Sequence, residues 1–183
     1  MSGLGIALMV LVLSAMLSIV VSTLYTGISP MPSSVKARQA MMRLVSEVAE
    51  DQTNYTIVDL GSGWGHLVIP LARRFPQHHI VGYELSWLPW LVSWSLKQAL
   101  RLDNLVLYRR DCFKAELRGA DIITCYLFAS AMKRLAKKLE DDGARPRWMV
   151  SNFFALPVAE PEQTLQLNDL YQTRIYRYQF RSL

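Results

Sequence analysis

Val58-Asp59-Leu60-Gly61-Ser62-Gly63-Trp64-Gly65 is the stretch that decides the fold. Tyr55 to Leu60 is a short β-branched run that reads as a buried strand, and His66 to Phe75 follows the turn as a helix. A strand that enters a glycine turn and leaves as a helix lets the backbone approach a ligand closely, because glycine has no Cβ and tolerates positive φ. One strand-helix-strand unit later, Glu84 closes a second strand, His79 to Glu84. A carboxylate at that place can accept both hydroxyls of an adenosine ribose.

Two ligands carry such a ribose on such a turn. The dinucleotide fingerprint spaces its glycines GxGxxG, so that a pyrophosphate meets the helix N-terminus. Here the spacing is GxGxG, His66 stands where the third glycine would fall, and Asp59 precedes the turn. An acid there repels a pyrophosphate but suits the ammonium of the methionine part of S-adenosylmethionine (SAM). SAM is the expected cofactor. A third strand, Leu105 to Tyr108, leads into Arg109-Arg110-Asp111-Cys112. Asp111 there can accept a hydrogen bond from the adenine amino group or cap the next turn.

Outward from this core the elements continue to alternate. Val35 to Glu50 has apolar residues at helical spacing, with Ser33 or Ser34 as its cap. A Trp-rich helix spans about Ser86 to Leu102. Asp121 to Leu127 reads as a fourth strand, Ala129 to Glu140 as a basic helix and Arg147 to Phe154 as a fifth strand. Thr164 to Leu167 and Gln172 to Phe180 alternate like an antiparallel pair. Alternating strands and helices imply a parallel sheet, and a closing hairpin on it is the habit of methyltransferases rather than dehydrogenases. Trp87, Trp90 and Trp94 recur at i, i+3, i+7; such a stripe either packs on the sheet, the commoner arrangement, or faces a membrane interface.

The chain is 183 residues long, enough for one core, and carries 20 Lys+Arg against 15 Asp+Glu. The excess of +5 contains no basic block, which speaks against a nucleic-acid partner and fits a domain beside an anionic membrane. Cys112 and Cys125 have no CxxC spacing and read as small buried side chains, so neither a disulfide framework nor a zinc site is expected. His66, His78 and His79 show no metal or triad pattern, and His78 and His79 read as solvated turn residues.

The first charged side chain is Lys36, and Leu4 to Tyr25 is a nearly unbroken apolar run of the length a transmembrane helix needs. A cleaved signal peptide would want a basic start, which Met1-Ser2-Gly3 lacks, so a retained anchor is expected. Lys36, Arg38 and Arg43 follow it, which places the domain on the cytoplasmic side, or the matrix side in an organelle. Ser14, Ser18 and Ser22 fall on one face of this segment and could pack against another helix. The expected organisation is an anchor over 1–25, a Pro/Gly linker over 26–34 and a catalytic domain over 35–183.

Asp59-Leu60-Gly61-Ser62-Gly63, Gly82-Tyr83-Glu84-Leu85, Pro89-Trp90-Leu91-Val92 and Arg110-Asp111 occur in an order that resembles a family of small membrane-anchored protein-lysine methyltransferases. The resemblance spans about Pro30 to Pro157. Mitochondrial members modify the ATP synthase c subunit and the adenine nucleotide translocator. This chain departs from the family in having Trp64-Gly65-His66 where members carry Asp-Gly-Arg, and Ser86-Trp87-Leu88-Pro89 where they often have Asn-Pro. The resemblance implies a Rossmann-like class I methyltransferase sheet with helices on both faces, preceded by one transmembrane helix. It also implies SAM-dependent methylation, with a lysine of a membrane-associated protein as the acceptor; methylation of a lipid or apolar small molecule, and a non-catalytic SAM-binding assembly role, are the alternatives. The candidate cofactor residues are Asp59, Gly61, Ser62, Gly63, Gly65, Glu84, Leu85, Asp111 and Cys112. Beyond the ends of the fourth and fifth strands, Tyr126, Leu127, Phe128, Asn152 and Phe153 are candidates for the acceptor pocket. The Asn/Asp-Pro-Pro-aromatic motif of enzymes that methylate nucleic-acid amino groups is missing after the fourth strand. No metal is expected, because neither the cysteines nor the histidines show ligand spacing, and methyl transfer from a sulfonium needs alignment more than an acid–base pair.

Overall fold

A computed structural model describes residues 2–3, 5–7, 9–10, 33–52 and 54–180. Most of the expected anchor, the serine stripe within it and nearly all of the linker lie outside the described residues. Among the described residues no helix is long and apolar enough to cross a membrane.

Helix α1 (Val35–Ala49) opens on Ser34, whose Oγ accepts the Ala37 amide at 3.1 Å and so satisfies one of the unpaired donors of the first turn. Strand β1 (Thr56–Leu60), α2 (Val68–Arg74), β2 (His79–Glu84), α3 (Trp87–Ala99) and β3 (Leu105–Arg109) follow. A single 3-10 turn (Cys112–Lys114) leads to β4 (Ile122–Cys125), α4 (Ala129–Asp141), β5 (Trp148–Asn152), β6 (Gln163–Gln166) and β7 (Arg174–Gln179). The seven strands form one sheet in the order β3-β2-β1-β4-β5-β7-β6. The first five are parallel, and β7 runs antiparallel to both β5 and β6. Because β1 is central, the chain leaves it first toward β2 and later returns toward β4. The connections part at the carboxyl ends of β1 and β4, where open α/β sheets bind their ligands.

Both faces are covered, which is why β1 and β4 are apolar almost throughout. Ile57, Ile80, Leu105 and Ile122 pack under α1 and α2, while Val58, Leu60, Ile123 and Met149 pack under α4. Buried Arg177 of β7 reaches Glu47 of α1 and Glu162, at 2.6 and 2.8 Å, tying α1 to the antiparallel end of the sheet.

Three local expectations change. His78 is buried, not solvated: its Nδ1 accepts the Tyr55 amide at 3.3 Å, its Nε2 meets the Ala49 carbonyl at 3.0 Å, and its ring stacks with Tyr55 and Phe75. It joins the end of α1 to the starts of β1 and β2. Strand β4 stops at Cys125 rather than Leu127, and β5 stops at Asn152 because Phe153 takes φ +69°, which an extended strand cannot continue through. Of the tryptophan stripe only Trp90 packs against the core, while Trp87 and Trp94 are exposed.

Candidate functional site

The glycine turn is clipped to the end of β2 by successive amides. Gly61 and Ser62 both donate to the Tyr83 carbonyl at 2.9 Å, and Gly63 donates to Glu84 Oε2 at 2.9 Å. The other carboxylate oxygen, Oε1, accepts the Ser86 amide at 2.6 Å, which fixes the start of α3 as well. Glu84 is therefore held in place by backbone donors from both sides. A carboxylate has about four lone-pair sites, so capacity remains for a pair of hydroxyls.

The three glycines of the turn have φ of +81°, +53° and +81°, but for different reasons. A Cβ on Gly65 would lie 2.7 Å from Ile69 Cδ1 and 2.9 Å from Ser93 Cβ, so that glycine is needed for packing. A Cβ on Gly61 or Gly63 would meet nothing nearer than 3.8 and 4.0 Å, which leaves that side of the turn open. Gly82, overlooked as a site residue, matters too: a Cβ there would come within 2.7 Å of Leu107 and 3.0 Å of Ser62 Oγ. A glycine inside a β-branched run was the available signal.

Asp59 is buried at the carboxyl end of β1, where Thr124 Oγ1 donates to its Oδ1 at 2.8 Å. Burial pushes its carboxyl up from 3.8 to about 7, the Thr124 hydrogen bond works against that rise, and the Glu84 charge adds to it. Thr124 also escaped notice, although a lone hydroxyl within Ile122-Ile123-Thr124-Cys125 is a visible sign. Past the turn, burial and the positive charge of Arg38 both lower the pKa of His66, so α1 brings a guanidinium toward the same end of the sheet.

Asp111 takes the capping role: its Oδ1 accepts the Phe113 amide at 3.0 Å and opens the 3-10 turn. The Arg110 amide donates to the Glu84 carbonyl at 3.0 Å, which keeps Asp111 and Cys112 beside the end of β2. Burial and the Asp111 charge push the half-buried Cys112 thiol up to about 12, and burial does the same to Cys125. Both thiols stay protonated and neither is a nucleophile at neutral pH. Leu85 is half-buried between Glu84 and Ser86.

On the other side of the parting of the connections, Leu127 is buried against the turn, and Tyr126 and Phe153 are exposed. Burial raises the Tyr126 phenol. Asn152 is buried; its Nδ2 donates to Ser33 Oγ at 3.1 Å, and its Oδ1 has no partner among the described residues. Ser62 Oγ is likewise buried without one. Such orphaned atoms are rare in folded proteins. Phe153, held at positive φ, donates its amide to the Arg174 carbonyl at 2.8 Å and sets its ring 4.9 Å from that of Phe154. Phe128 immediately precedes α4.

The family model described as the ANTKMT methyltransferase domain matches residues 59–163, from Asp59 to the first residue of β6. The chain belongs to this family. It is 34% identical over 111 residues to the adenine nucleotide translocase lysine N-methyltransferase of Mus musculus, covering 57% of this chain and 46% of that one. The chain thus spans about half the length of the mouse relative. A protein-lysine N-methyltransferase of Saccharolobus islandicus (strain REY15A) is 21% identical over 142 residues, covering 74% of this chain and 84% of its own. Among solved structures, an RNA methyltransferase from Salinibacter ruber in complex with S-adenosylhomocysteine superposes with TM-score 0.70 at 26% identity, covering 84% of this chain and 95% of that one.

As a class I methyltransferase domain of the ANTKMT family the chain uses SAM as cofactor, and its residues suit that molecule. Glu84 is prearranged for paired hydroxyls, Gly61 and Gly63 leave the turn open, and Asp59 gains its charge readily beside a cation. Among the described residues no His, Cys, Asp or Glu cluster is arranged to hold a metal ion.

Proposed function

We propose that this chain transfers the methyl group of SAM to a lysine side chain of a membrane-associated protein while tethered to the same bilayer by residues 4–25. The observation that carries the cofactor half is the Gly63 amide on Glu84 Oε2 at 2.9 Å, which joins turn and acid into one unit. In this reading Glu84 accepts the two ribose hydroxyls, and the open side of Gly61-Ser62-Gly63 receives the methionine part. Asp59 and Gly65 back that turn, one by charge and one by packing. Asp111, with its second carboxylate oxygen, faces the adenine amino group beside Leu85 and Cys112.

When bound, the cofactor would supply an electrophilic methyl carbon. A neutral amine would attack it in line, the C–N bond forming as the C–S bond breaks and S-adenosylhomocysteine leaves, and the product ammonium would lose its proton to water. The protein's part is to align that amine, desolvate it and keep water out. Tyr126 and Phe153 offer aromatic walls, and the unpartnered Asn152 Oδ1 offers an acceptor for one amine proton. Desolvation among such walls lowers a lysine pKa and favours the nucleophilic form.

The lysine acceptor is supported by the printed names of the mouse and Saccharolobus islandicus relatives. The membrane half is supported by the apolar run and by Ser33 touching Asn152. Eight residues from Tyr25 to Ser33 reach no more than about 30 Å, so a tethered domain keeps its acceptor pocket near the bilayer. Tethering raises the effective concentration of membrane-bound acceptors.

Membranes from cells lacking this protein, incubated with the purified chain and methyl-labelled SAM, should yield a discrete labelled protein band that hydrolyses to methyllysine. Label confined to the organic extract, or to RNA, would refute the lysine reading while leaving the methyltransferase in place.

A further inference from the structure

Helix α3 is patterned in reverse for a helix packed on a sheet. Its buried positions are Pro89 and Ser93, whereas Trp87 and Trp94 are 52% and 39% exposed. The inward choice has a steric cause, since Ser93 Cβ already lies 2.9 Å from where a Cβ on Gly65 would sit. Only a small residue fits where the helix approaches the turn so closely.

Trp87, Leu91 and Trp94, at i, i+4 and i+7, share one helix face, turned away from the buried side that holds Pro89 and Ser93. Trp90 lies beside them, half-buried, with its Nε1 donating to the Leu107 carbonyl at 3.3 Å. Its ring stacks with both neighbours at 5.4 and 6.2 Å, making a ladder of three indoles.

The charges on α3 itself have one sign. No Asp or Glu occurs between Ser86 and Leu102, and Asp103 comes only after Arg101. Lys97 and Arg101 border its C-terminal end. At the other end the Arg109 guanidinium sits over the Trp87 ring at 5.4 Å. A helix of 13 residues is about 20 Å long, so cations bracket the indoles at both ends. Indole prefers the boundary between lipid headgroups and acyl chains, and basic residues beside it are drawn to anionic headgroups.

We propose that α3 with the adjoining edge of β3 is a docking surface for an anionic phospholipid bilayer. Trp87 and Trp94 insert at headgroup level, and Lys97, Arg101 and Arg109 face the lipid phosphates. The surface stands on these residues alone and depends neither on the apolar N-terminal run nor on the identity of the methyl acceptor. Its functional consequence is orientation: α3 begins three residues after Glu84, so docking brings the start of this helix, and the cofactor end of the sheet beside it, to the membrane.

The test uses the full chain in vesicles of phosphatidylcholine and phosphatidylglycerol whose acyl chains carry bromine near the headgroup. Tryptophan emission should be quenched, and Trp87→Ser/Trp94→Ser should remove that quenching. Lys97→Glu/Arg101→Glu, which keeps all five tryptophans and alters only surface charge, should lose most of it. Both variants should still bind S-adenosylhomocysteine as the parent does. Quenching that survives either double substitution, or that is equally strong in phosphatidylcholine alone, overturns the proposal. So does absence of quenching together with cross-linked dimers that vanish in Trp87→Ser/Trp94→Ser, which would assign the face to a second copy of the chain.

Discussion

Replacing Asp59 with Asn tests the chemistry at the end of β1. The carboxyl is 4% exposed and rises from 3.8 to about 7, with burial as the main cause. At about 1.4 kcal/mol per pH unit, that rise is worth roughly 4 kcal/mol at most. The folded protein holds this proton more tightly than the unfolded chain. The stabilisation is therefore fully present below pH 3.8, fades between 3.8 and about 7, and is absent above. Asparagine keeps an oxygen for the Thr124 hydroxyl but carries no charge at any pH. Asp59→Asn should accordingly be more stable than the parent at about pH 8, by up to roughly 4 kcal/mol, and the gap should close toward pH 4. The cofactor adds a second arm. An ammonium beside Asp59 favours its ionised form, so SAM affinity of the parent should rise up to about tenfold per pH unit below 7 and level off above. Asp59→Asn should show weaker binding without that slope. Denaturant melts in mild detergent, followed by circular dichroism, read the first arm, and calorimetric titration reads the second. Parallel stability curves for the two proteins between pH 4 and 7 would refute the buried-carboxyl reasoning.

Other substitutions separate packing from binding. Gly65→Ala meets Ile69 and Ser93 at φ +81° and should cost about 3 kcal/mol in a denaturant melt, from overpacking plus left-handed strain. Gly63→Ala, with open space around it, should cost only about 1 kcal/mol while lowering cofactor affinity in the same calorimeter. His78→Leu leaves the buried Tyr55 amide unpaired and takes one of two donors from the Ala49 carbonyl, which keeps the Gln52 amide; it should cost roughly 1–3 kcal/mol by the same melt. Asn152→Ala should lower kcat for the methyl acceptor at least about fivefold, since a hydrogen bond to a reacting amine is worth about 1 kcal/mol or more. S-adenosylhomocysteine affinity should be unchanged in that variant, and parallel loss of both would move Asn152 into the cofactor site.

What the sequence made legible was whatever depends on neighbours along the chain. His79–Glu84 is an apolar run bounded by turn residues, and its limits are the ones expected. The turn at Gly61–Gly65 and the acid at Glu84 were recognisable because a fixed chain length separates them. What stayed hidden depends on contacts across the fold. His78 looked solvated in a Pro-Gln-His-His stretch because its partners, Tyr55 and Ala49, lie far up the chain. Asp111 carries the same letters whether it caps a turn or meets adenine, and its bond to the Phe113 amide, which shows the first use, is a contact of the folded chain. Strand β5 was read through Phe153, because a left-handed φ at a phenylalanine has no signature in sequence. The outward tryptophans of α3 follow from how closely Ser93 approaches Gly65, a distance that periodicity does not encode. Thr124 and Gly82 did carry signals, each a small or polar residue within an apolar strand, and both prove to shape the turn's surroundings.

The central claim is that Glu84, gripped by the Gly63 and Ser86 amides, holds the ribose of a SAM molecule. Isothermal titration of S-adenosylhomocysteine into the full chain, beside its Glu84→Ala variant, addresses it directly. One site should appear in the parent, with affinity lower by at least about a hundredfold in the variant, because two charge-assisted hydrogen bonds are lost. A folded parent that releases no heat, or a variant that binds as tightly as the parent, would contradict the account.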